Sequence, residues 1–256
     1  MTEHSLELEN LCFSYNSKEV LNQINFGVES SRIIAIIGGS GAGKTTLLKT
    51  ILMLQLPEIG KITYFGTDTV SFEKGTEKVS TPGENEPSYF SSKAKDIRSR
   101  IGYVPQGSVL LPHKNLIDNV MLPLVEVHDM SRDNAAFKAT EALARLGIDD
   151  LKLSRPWEVS GGQLQRAAIA RALAVKPDLY LLDEPTGALD AANVEIVGTV
   201  LREDVRERGC SVVIVTHNLG FAQMFCDDVC LLQNGALSNP TLSENVDWSK
   251  MLRLIL

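Results

Sequence analysis

The sequence predicts an α/β fold with a mainly parallel sheet, an antiparallel β portion and an inserted α-helical region. Short continuous apolar runs, which are typical of strands covered on both faces, predict the parallel sheet. An alternating pattern near the amino terminus predicts the antiparallel portion, and a long stretch of helical periodicity predicts the insertion. The continuous apolar runs are Ile33 to Ile37, Leu179 to Leu182, Val212 to Val215 and Val229 to Leu232.

The amino-terminal alternation places apolar residues at every second position. It occurs at Leu6 and Leu8, and again at Ile24, Phe26 and Val28. This pattern predicts half-exposed antiparallel strands, which we expect at the edge of the first parallel strand.

The first parallel strand runs directly into the glycine-rich segment GGSGAGKTT, which fits the pattern G-x-x-x-x-G-K-[ST] between a strand and a helix. Backbone N–H groups and the helix start can hold phosphate oxygens, Lys44 can reach the terminal phosphates and Thr45 can bind magnesium. The sequence therefore predicts a P-loop NTPase core. The residues expected to bind nucleotide here are Gly38, Gly39, Ser40, Gly41, Ala42, Gly43, Lys44, Thr45 and Thr46.

The stretch from Ser71 to Ser92 is polar and has no sustained periodicity. Its Thr81-Pro82-Gly83 and Glu86-Pro87 sequences favour turns, so we expect an exposed, mobile loop. A regulatory or partner-docking loop is the alternative interpretation.

Helical periodicity extends from Asn115 to Leu146. Ser131 can cap a helix that Gly147 ends. The residues expected on the buried face of this helix are Ala136, Ala139, Leu143 and Leu146.

A second helix start follows at Ser160-Gly161-Gly162-Gln163, before an alanine-rich helix. Ser160 can cap this helix while the two glycines expose N–H groups, which makes a second anion site. One active site needs a single phosphate cradle, so two cradles indicate that ATP is approached from two sides.

An acidic pair, Asp183-Glu184, ends the apolar run at Leu179 to Leu182. Ligands of parallel sheets lie beyond the carboxyl ends of the strands. Asp183 can therefore hold magnesium through water, and Glu184 can orient or deprotonate an attacking water.

Composition narrows the function further. The chain has 256 residues, 44% of them hydrophobic, and a net charge of −7, which argues against broad nucleic-acid binding. Four scattered cysteines indicate thiols in a reducing compartment. The amino terminus lacks signal-peptide features and no apolar run is long enough to span a bilayer, so we expect a cytoplasmic protein, peripheral on the cell membrane.

The motifs GGSGAGKTT, IGYVPQ, VSGGQLQR, LYLLDEPTGALD and IVTHN, in this order, resemble those of ABC transporter ATP-binding subunits. The resemblance covers about Leu6 to Gly235. It implies a single ABC ATPase domain over 1–256, with a nucleotide-binding core at 1–106 and 176–256 and a helical signature subdomain at 107–175.

The resemblance also implies ATP and Mg²⁺ as cofactors, with a role for each motif. Tyr15 would stack on adenine, and Gln106 would sense the magnesium and the γ-phosphate. Asp190 would line a dimer interface, and His217 would contact the γ-phosphate. The implied catalytic set is Glu184, His217, Lys44 and Gln106, the metal set is Thr45, Gln106 and Asp183, and the signature that binds the partner's ATP is Ser160, Gly161, Gly162 and Gln163.

Four residues depart from the family pattern. Ser31-Arg32 stands in place of Gly-Glu, Val159 replaces the leucine that usually begins the signature, and Asn218 replaces an acid after the histidine. None of these changes removes a group that hydrolysis needs.

The implied function is ATP hydrolysis that powers an importer of amino acids or similar small solutes. The implied partners are a second, head-to-tail copy, separate permease subunits and a solute-binding protein, with no nucleic acid. Phe221-Ala222 favours the amino-acid branch, whereas PTGALD and LPHKNLIDNVMLPL resemble lipoprotein-releasing and macrolide-exporting systems. A soluble ABC ATPase acting on nucleic acid or ribosomes is a further alternative.

Overall fold

A computed structural model describes residues 4–73 and 92–255 of the chain. The strands are β1 (His4–Tyr15), β2 (Lys18–Glu29), β3 (Ile33–Ile37), β4 (Ile59–Tyr64), β5 (Asp68–Phe72), β6 (Ile101–Val104), β7 (Leu179–Asp183), β8 (Ser211–Thr216), β9 (Asp228–Gln233), β10 (Ala236–Leu237) and β11 (Thr241–Leu242). The helices are α1 (Lys44–Ile51), α2 (Ser92–Ser99), α3 (Leu116–Glu126), α4 (Arg132–Arg145), α5 (Gly161–Val175), α6 (Ala191–Arg208), α7 (Leu219–Phe225) and α8 (Trp248–Ile255).

The larger sheet has the strand order β10-β9-β3-β8-β7-β6, and β11 also pairs with β9. The strands from β9 to β6 are parallel, while β10 and β11 run antiparallel to β9. All five residues of β3 are buried, as expected for a strand covered on both faces. Each predicted apolar run lies in a parallel strand, and the predicted α/β fold class is confirmed.

The amino-terminal strands form a sheet of their own, with the order β2-β1-β4-β5. Leu6 pairs with Val28 and Leu8 with Phe26 in an antiparallel register. The expectation that these strands lie at the edge of the first parallel strand was wrong, because β8 and β9 already pair with both edges of β3. The small sheet instead packs on one face of the large sheet, where Leu6 and Leu8 share a core with Ile34.

Helices α3, α4 and α5 pack against one another in the predicted helical region. Ser131 caps α4 by accepting a hydrogen bond from the Asn134 N–H at 3.4 Å. Gly147 follows the end of α4 in a left-handed conformation, with φ of 64°. Of the predicted buried face, Ala139, Leu143 and Leu146 are buried, but Ala136 is only partly buried, because the inward-facing stripe of the helix passes through Ala135 instead.

Both ends of the predicted polar loop lie in regular secondary structure. Strand β5 includes Ser71 and Phe72, because they pair with β4, and α2 begins at Ser92. The remainder, residues 74–91, lies outside the described residues, and so does the prediction of an exposed, mobile loop.

The cysteines are free thiols, as predicted, and Cys210, Cys226 and Cys230 are buried. Across 4–73 and 92–255, no helix has both the length and the hydropathy needed to cross a membrane.

Candidate functional site

The segment between β3 and α1 forms an open cradle for an anion. Gly41 and Gly43 adopt φ values of 76° and 100°, which residues with a side chain rarely adopt. Gly43 is the N-cap of α1 and makes no side-chain cap hydrogen bond. The first N–H groups of α1 are therefore free of side-chain caps and, with the positive end of the helix dipole, suit phosphate binding.

Lys44 is held inside this cradle. Its Nζ donates hydrogen bonds to the carbonyl oxygens of Gly38 at 2.8 Å and Gly39 at 3.1 Å. The same Nζ lies 3.8 Å from Glu184 Oε1. Gly38 itself has a packing role, since a Cβ there would lie 2.5 Å from the Leu232 carbonyl oxygen. The loop thus places one ammonium group between its own carbonyls and the acidic pair.

Asp183 is the last residue of β7 and is buried, with 1% of its surface exposed. Neither carboxylate oxygen has a hydrogen-bond partner among the described residues. Burial raises the pKa of Asp183, the Glu184 charge adds to this, and the nearby Thr45 hydroxyl and Lys44 ammonium partly oppose it. A buried carboxylate without a partner beside a hydroxyl fits a hard cation such as Mg²⁺, which prefers oxygen ligands.

No three His, Cys, Asp or Glu side chains within the described ranges gather closely enough to hold a metal ion by themselves. Asp183 and Thr45 supply only part of a coordination shell. Mg²⁺ commonly completes such a shell with water and substrate phosphates, so the donor set fits a nucleotide-bound ion.

Glu184 is fixed on several sides. Thr216 Oγ1 donates a hydrogen bond to Glu184 Oε2 at 3.1 Å, and the His217 backbone N–H donates to the same oxygen at 3.3 Å. His217 Nδ1 lies 2.9 Å from Glu184 Oε1. Glu184 also has a φ of 49°, an uncommon conformation for a residue with a side chain and one that is found at functional sites. β8 and the loop after it therefore orient the carboxylate that follows β7.

These groups open into one cleft of about 1230 Å³. Tyr15 lies on its wall at the end of β1, 44% exposed, with its ring edge-on to Phe13 at a centroid distance of 4.8 Å. Gln106 lies on its wall in the exposed loop after β6. The predicted site residues that line this cleft are Tyr15, Gly39, Ser40, Gly41, Ala42, Gly43, Lys44, Thr45, Thr46, Gln106, Asp183, Glu184 and His217.

The second predicted anion site lies elsewhere in the described part of the chain, and neither it nor Asp190 lines the cleft. Ser160 Oγ accepts a hydrogen bond from the Gln163 N–H at 3.3 Å, and Gln163 Oε1 accepts one from the Ser160 N–H at 2.9 Å. Asp190 caps α6 by accepting from the Asn193 N–H at 2.9 Å. The segments at Ser160 and Asp190 are thus well-formed, exposed helix starts that lie outside this cleft.

Sequence reasoning missed several lining residues. The carboxyl-terminal helix α8 reaches the cleft, and a Cβ on Gly39 would lie 3.3 Å from the Ile255 carbonyl oxygen. Nothing in the local sequence of α8 indicates this, because its apolar spacing predicts only a packed helix. The lining residues not predicted are Lys18, Glu19, Val20, Leu232, Gln233, Asn234, Gly235, Leu252, Leu254 and Ile255.

Asn218, one of the departures from the family pattern, has a structural role. Its side chain caps α7 by accepting a hydrogen bond from the Phe221 N–H at 3.0 Å. It also donates to Thr186 Oγ1 at 3.3 Å, which ties the loop after β8 to the loop after β7.

Comparisons with known proteins agree with this geometry. The family model described as "ABC transporter" matches residues 21–187. The L-cystine import ATP-binding protein TcyC of Bacillus subtilis is 35% identical over 239 residues, covering 91% of this chain and 88% of the relative. The histidine/lysine/arginine/ornithine transport ATP-binding protein HisP of Salmonella typhimurium is 36% identical over 251 residues, covering 96% and 93%.

Solved structures give the same result. The dimeric, post-hydrolysis structure of the ATP-binding cassette MJ0796 bound to ADP and Pi aligns with a TM-score of 0.80 at 28% identity, covering 94% of this chain and all of that one. The structure of cbiO1 from Clostridium perfringens, part of an ABC transporter complex, aligns with a TM-score of 0.77 at 27% identity, covering 98% and 93%.

Proposed function

This chain belongs to the ABC transporter family, and we propose that it is the ATP-binding subunit of a bacterial importer of amino acids. It is an ATPase of that family. The relatives named above act in transport of cystine and of basic amino acids, and this supports polar amino acids as the imported class. The relatives give no support to lipoprotein release, macrolide export or a soluble role on nucleic acid.

The phosphate chain of ATP would lie at the amino terminus of α1. Its oxygens would accept hydrogen bonds from the free N–H groups of the glycine-rich cradle, and Lys44 would exchange a loop carbonyl for a terminal phosphate oxygen. Tyr15, which is exposed and lines the same cleft, would stack its ring on the adenine.

Thr45, Asp183 and Gln106 would hold Mg²⁺ with the phosphates. The donor set supports this assignment, because Asp183 has two buried oxygens without partners and Thr45 adds a hydroxyl. The ion would supply charge neutralisation on the phosphate oxygens of the transition state.

Glu184 would orient the attacking water and accept its proton. The water oxygen forms the new bond to the γ-phosphorus, and the bond from that phosphorus to the bridging oxygen of ADP breaks. His217 is placed beside Glu184 Oε1, where it can hold the carboxylate in position and reach the γ-phosphate. The hydrogen bond from Thr216 would help to hold this carboxylate at the cleft.

The exposed helix start at Ser160 to Gln163 would complete the site of a second copy. The signature lies outside the cleft of its own chain, and the dimeric form of the related cassette MJ0796 supports a head-to-tail pair. Asp190 would lie in the same interface. The permease would be a separate polypeptide on the membrane, with this chain on its cytoplasmic face and a solute-binding protein as a further partner.

The observation that carries the proposal is the Glu184 carboxylate, held by β8 and His217 at the mouth of a phosphate-binding cradle. The test is purification with the co-encoded permease, reconstitution into vesicles, and measurement of labelled arginine, histidine and cystine uptake with Mg-ATP. We expect ATP-dependent uptake of at least one of these amino acids, and none with the Lys44→Ala variant. Recovery with ribosomes or nucleic acid instead of a multispan protein would contradict the transport function.

A further inference from the structure

A buried carboxylate that does not line the cleft joins three elements of the fold. Asp204, on α6, is 3% exposed. Its Oδ2 accepts a hydrogen bond from the Tyr180 hydroxyl of β7 at 2.5 Å, and its Oδ1 accepts one from Arg145 Nη1 of α4 at 2.7 Å. Arg208 Nη2 lies 3.4 Å from Oδ2. The ATPase mechanism uses none of these groups.

Arg145 connects the helical region to the core through several contacts at once. Besides Asp204, its Nη2 donates to the Val200 carbonyl oxygen at 3.3 Å and to Glu203 Oε2 at 3.4 Å. All three partners lie on α6, so a single guanidinium fixes the end of α4 against that helix. The planar, forked donor set of arginine sets an orientation as well as a distance.

The same corner also reaches the helix that carries the signature. Directly after Arg145, the carbonyl oxygens of Leu146 and Gly147 accept hydrogen bonds from Arg166 Nη1 at 2.8 and 3.4 Å. Arg166 lies on α5, which begins at the Ser160 cap. Hydrogen bonds therefore link Tyr180, three residues before Asp183, to Asp204 and Arg145, and the backbone that follows Arg145 is bonded in turn to the signature helix.

The chemistry of these links favours orientation over stability. Much of the remaining contact between α3, α4, α5 and the core is made of apolar side chains, whose attraction is non-directional. Buried ion pairs add little net stability relative to apolar packing, but they specify one geometry. Burial, together with the Asp204 charge, raises the pKa of Tyr180, so its hydroxyl stays protonated and donates to Asp204.

We propose that Asp204, Arg145 and Tyr180 form a positioning hub, which sets the angle of the helical region on the core so that the signature of one copy meets the phosphate cradle of the other. The proposal rests on the ATP-dependent dimer proposed above. The hub residues do not line the cleft, so their effect would be exerted through the position of Ser160 to Gln163.

The test uses the Glu184→Gln chain, which is expected to bind ATP without hydrolysing it. Dimerisation with Mg-ATP is measured by sedimentation, and ATP affinity is measured separately by titration at concentrations where the chain is monomeric. The hub variant is Arg145→Met with Asp204→Asn, which removes both charges and so avoids a lone buried carboxylate. Arg145→Lys keeps the charge but loses the fork.

The matched control is Arg202→Met. Arg202 lies on α6 like Asp204 and pairs with Asp227 at 2.8 Å, within the core and away from the helical region. We expect the hub variant to dimerise about tenfold more weakly or worse, with monomer ATP affinity within about twofold of the parent. The dimer affinity of Arg145→Lys should lie between those of the hub variant and the parent. The dimer affinity of Arg202→Met should equal that of the parent.

The possible failures are distinct. A parent chain that does not dimerise with ATP refutes the head-to-tail dimer, and the hub with it. A parent that dimerises while the hub variant dimerises equally well refutes the hub alone. A parallel loss of ATP affinity and dimerisation, or an equal loss in Arg202→Met, also overturns the proposal, because it would show a general structural role.

Discussion

The starts of α1 and α5 carry the two glycine-rich segments of the chain, yet they differ in almost every physical respect. α1 has a glycine N-cap without a side-chain cap hydrogen bond. Its first residue, Lys44, places an ammonium group beside the acidic pair Asp183-Glu184. α5 has a serine N-cap whose Oγ is already bonded within a capping box, and it is exposed. The first start lines a cleft of about 1230 Å³, whereas the second does not.

Glycine content alone therefore does not define a binding site. An anion site needs N–H groups without caps, positive charge and a concave surface, and of the two helix starts the α1 start has all three within one chain. The start of α5 presents its N–H groups on an exposed surface, so the anion there would be the ATP bound to a second copy. The following predictions test that division.

The largest expected effect is at the α1 end, in Glu184→Gln. The amide keeps the shape and the contact with Thr216 but cannot accept the water proton, so we expect the ATPase rate to fall by about 10²–10⁴-fold. ATP affinity should be retained and ATP-dependent dimers should accumulate. Turnover is measured with the permease present, and a rate near that of the unaltered chain would remove Glu184 from the mechanism.

Lys44→Ala should act on binding itself. A charge-assisted hydrogen bond to phosphate contributes about 1.5–3 kcal/mol, so ATP affinity should fall by roughly 10- to 100-fold in the isolated monomer. Titration with ATP measures this loss. Lys49→Ala, on the same helix but beyond the loop, is the matched control and should bind ATP nearly as well as the unaltered chain.

The contrast between the two helix starts was partly readable from the sequence. The phosphate cradle, the parallel strands and the Ser160 cap depend on neighbouring residues, so local pattern and periodicity were enough to predict them. The Arg145–Asp204 contact joins residues 59 positions apart, and α8 meets the phosphate loop from the other end of the chain. Such contacts arise only when the sheet brings distant segments together, and no local pattern marks them.

Gly162→Asp tests the α5 end. Near the start of a helix an acid suits the dipole, so the monomer should fold and bind ATP normally. In the dimer the new carboxylate would face the partner's phosphates, and we expect ATP-dependent dimerisation to weaken by about tenfold or more. A variant that had lost ATP binding as a monomer would place the signature in its own active site.

The control for Gly162→Asp is Gly162→Ala, because a Cβ at this position lies 3.1 Å from the Ala188 carbonyl oxygen and is crowded in either variant. Dimerisation that fails equally in both variants would point to crowding instead of charge.

Mixing the Gly162→Asp chain with the Lys44→Ala chain tests the head-to-tail arrangement directly, since a heterodimer then has one site with both defects and one with neither. ATPase rate across mixing ratios should therefore exceed that of either variant alone.

The weakest effects should be two stability changes of opposite sign, one at the end of β7 in the cleft and one at the start of α5. Asp183 has a raised pKa and two buried oxygens without partners, so its charge destabilises the nucleotide-free chain. Asp183→Asn should stabilise that chain by on the order of 1 kcal/mol, or about 2–4 °C in Tm, while hydrolysis is lost. Ser160→Ala should instead lower Tm by a similar amount, because it removes a helix cap.

The pH dependence of the Asp183→Asn effect follows from the same shift. The native pKa lies above the unfolded value of 3.8, so the charge penalty is absent below that pH, grows as pH rises and is complete above the native pKa. The Tm gain of Asp183→Asn should therefore be present at pH 7 and shrink toward zero as the pH falls to about 3.8. Saturating Mg-ATP should raise the Tm of the unaltered chain more than that of the variant, since only the carboxylate gains a cation. An Asp183→Asn chain with an unchanged or lower Tm at neutral pH would show that Asp183 carries no such penalty.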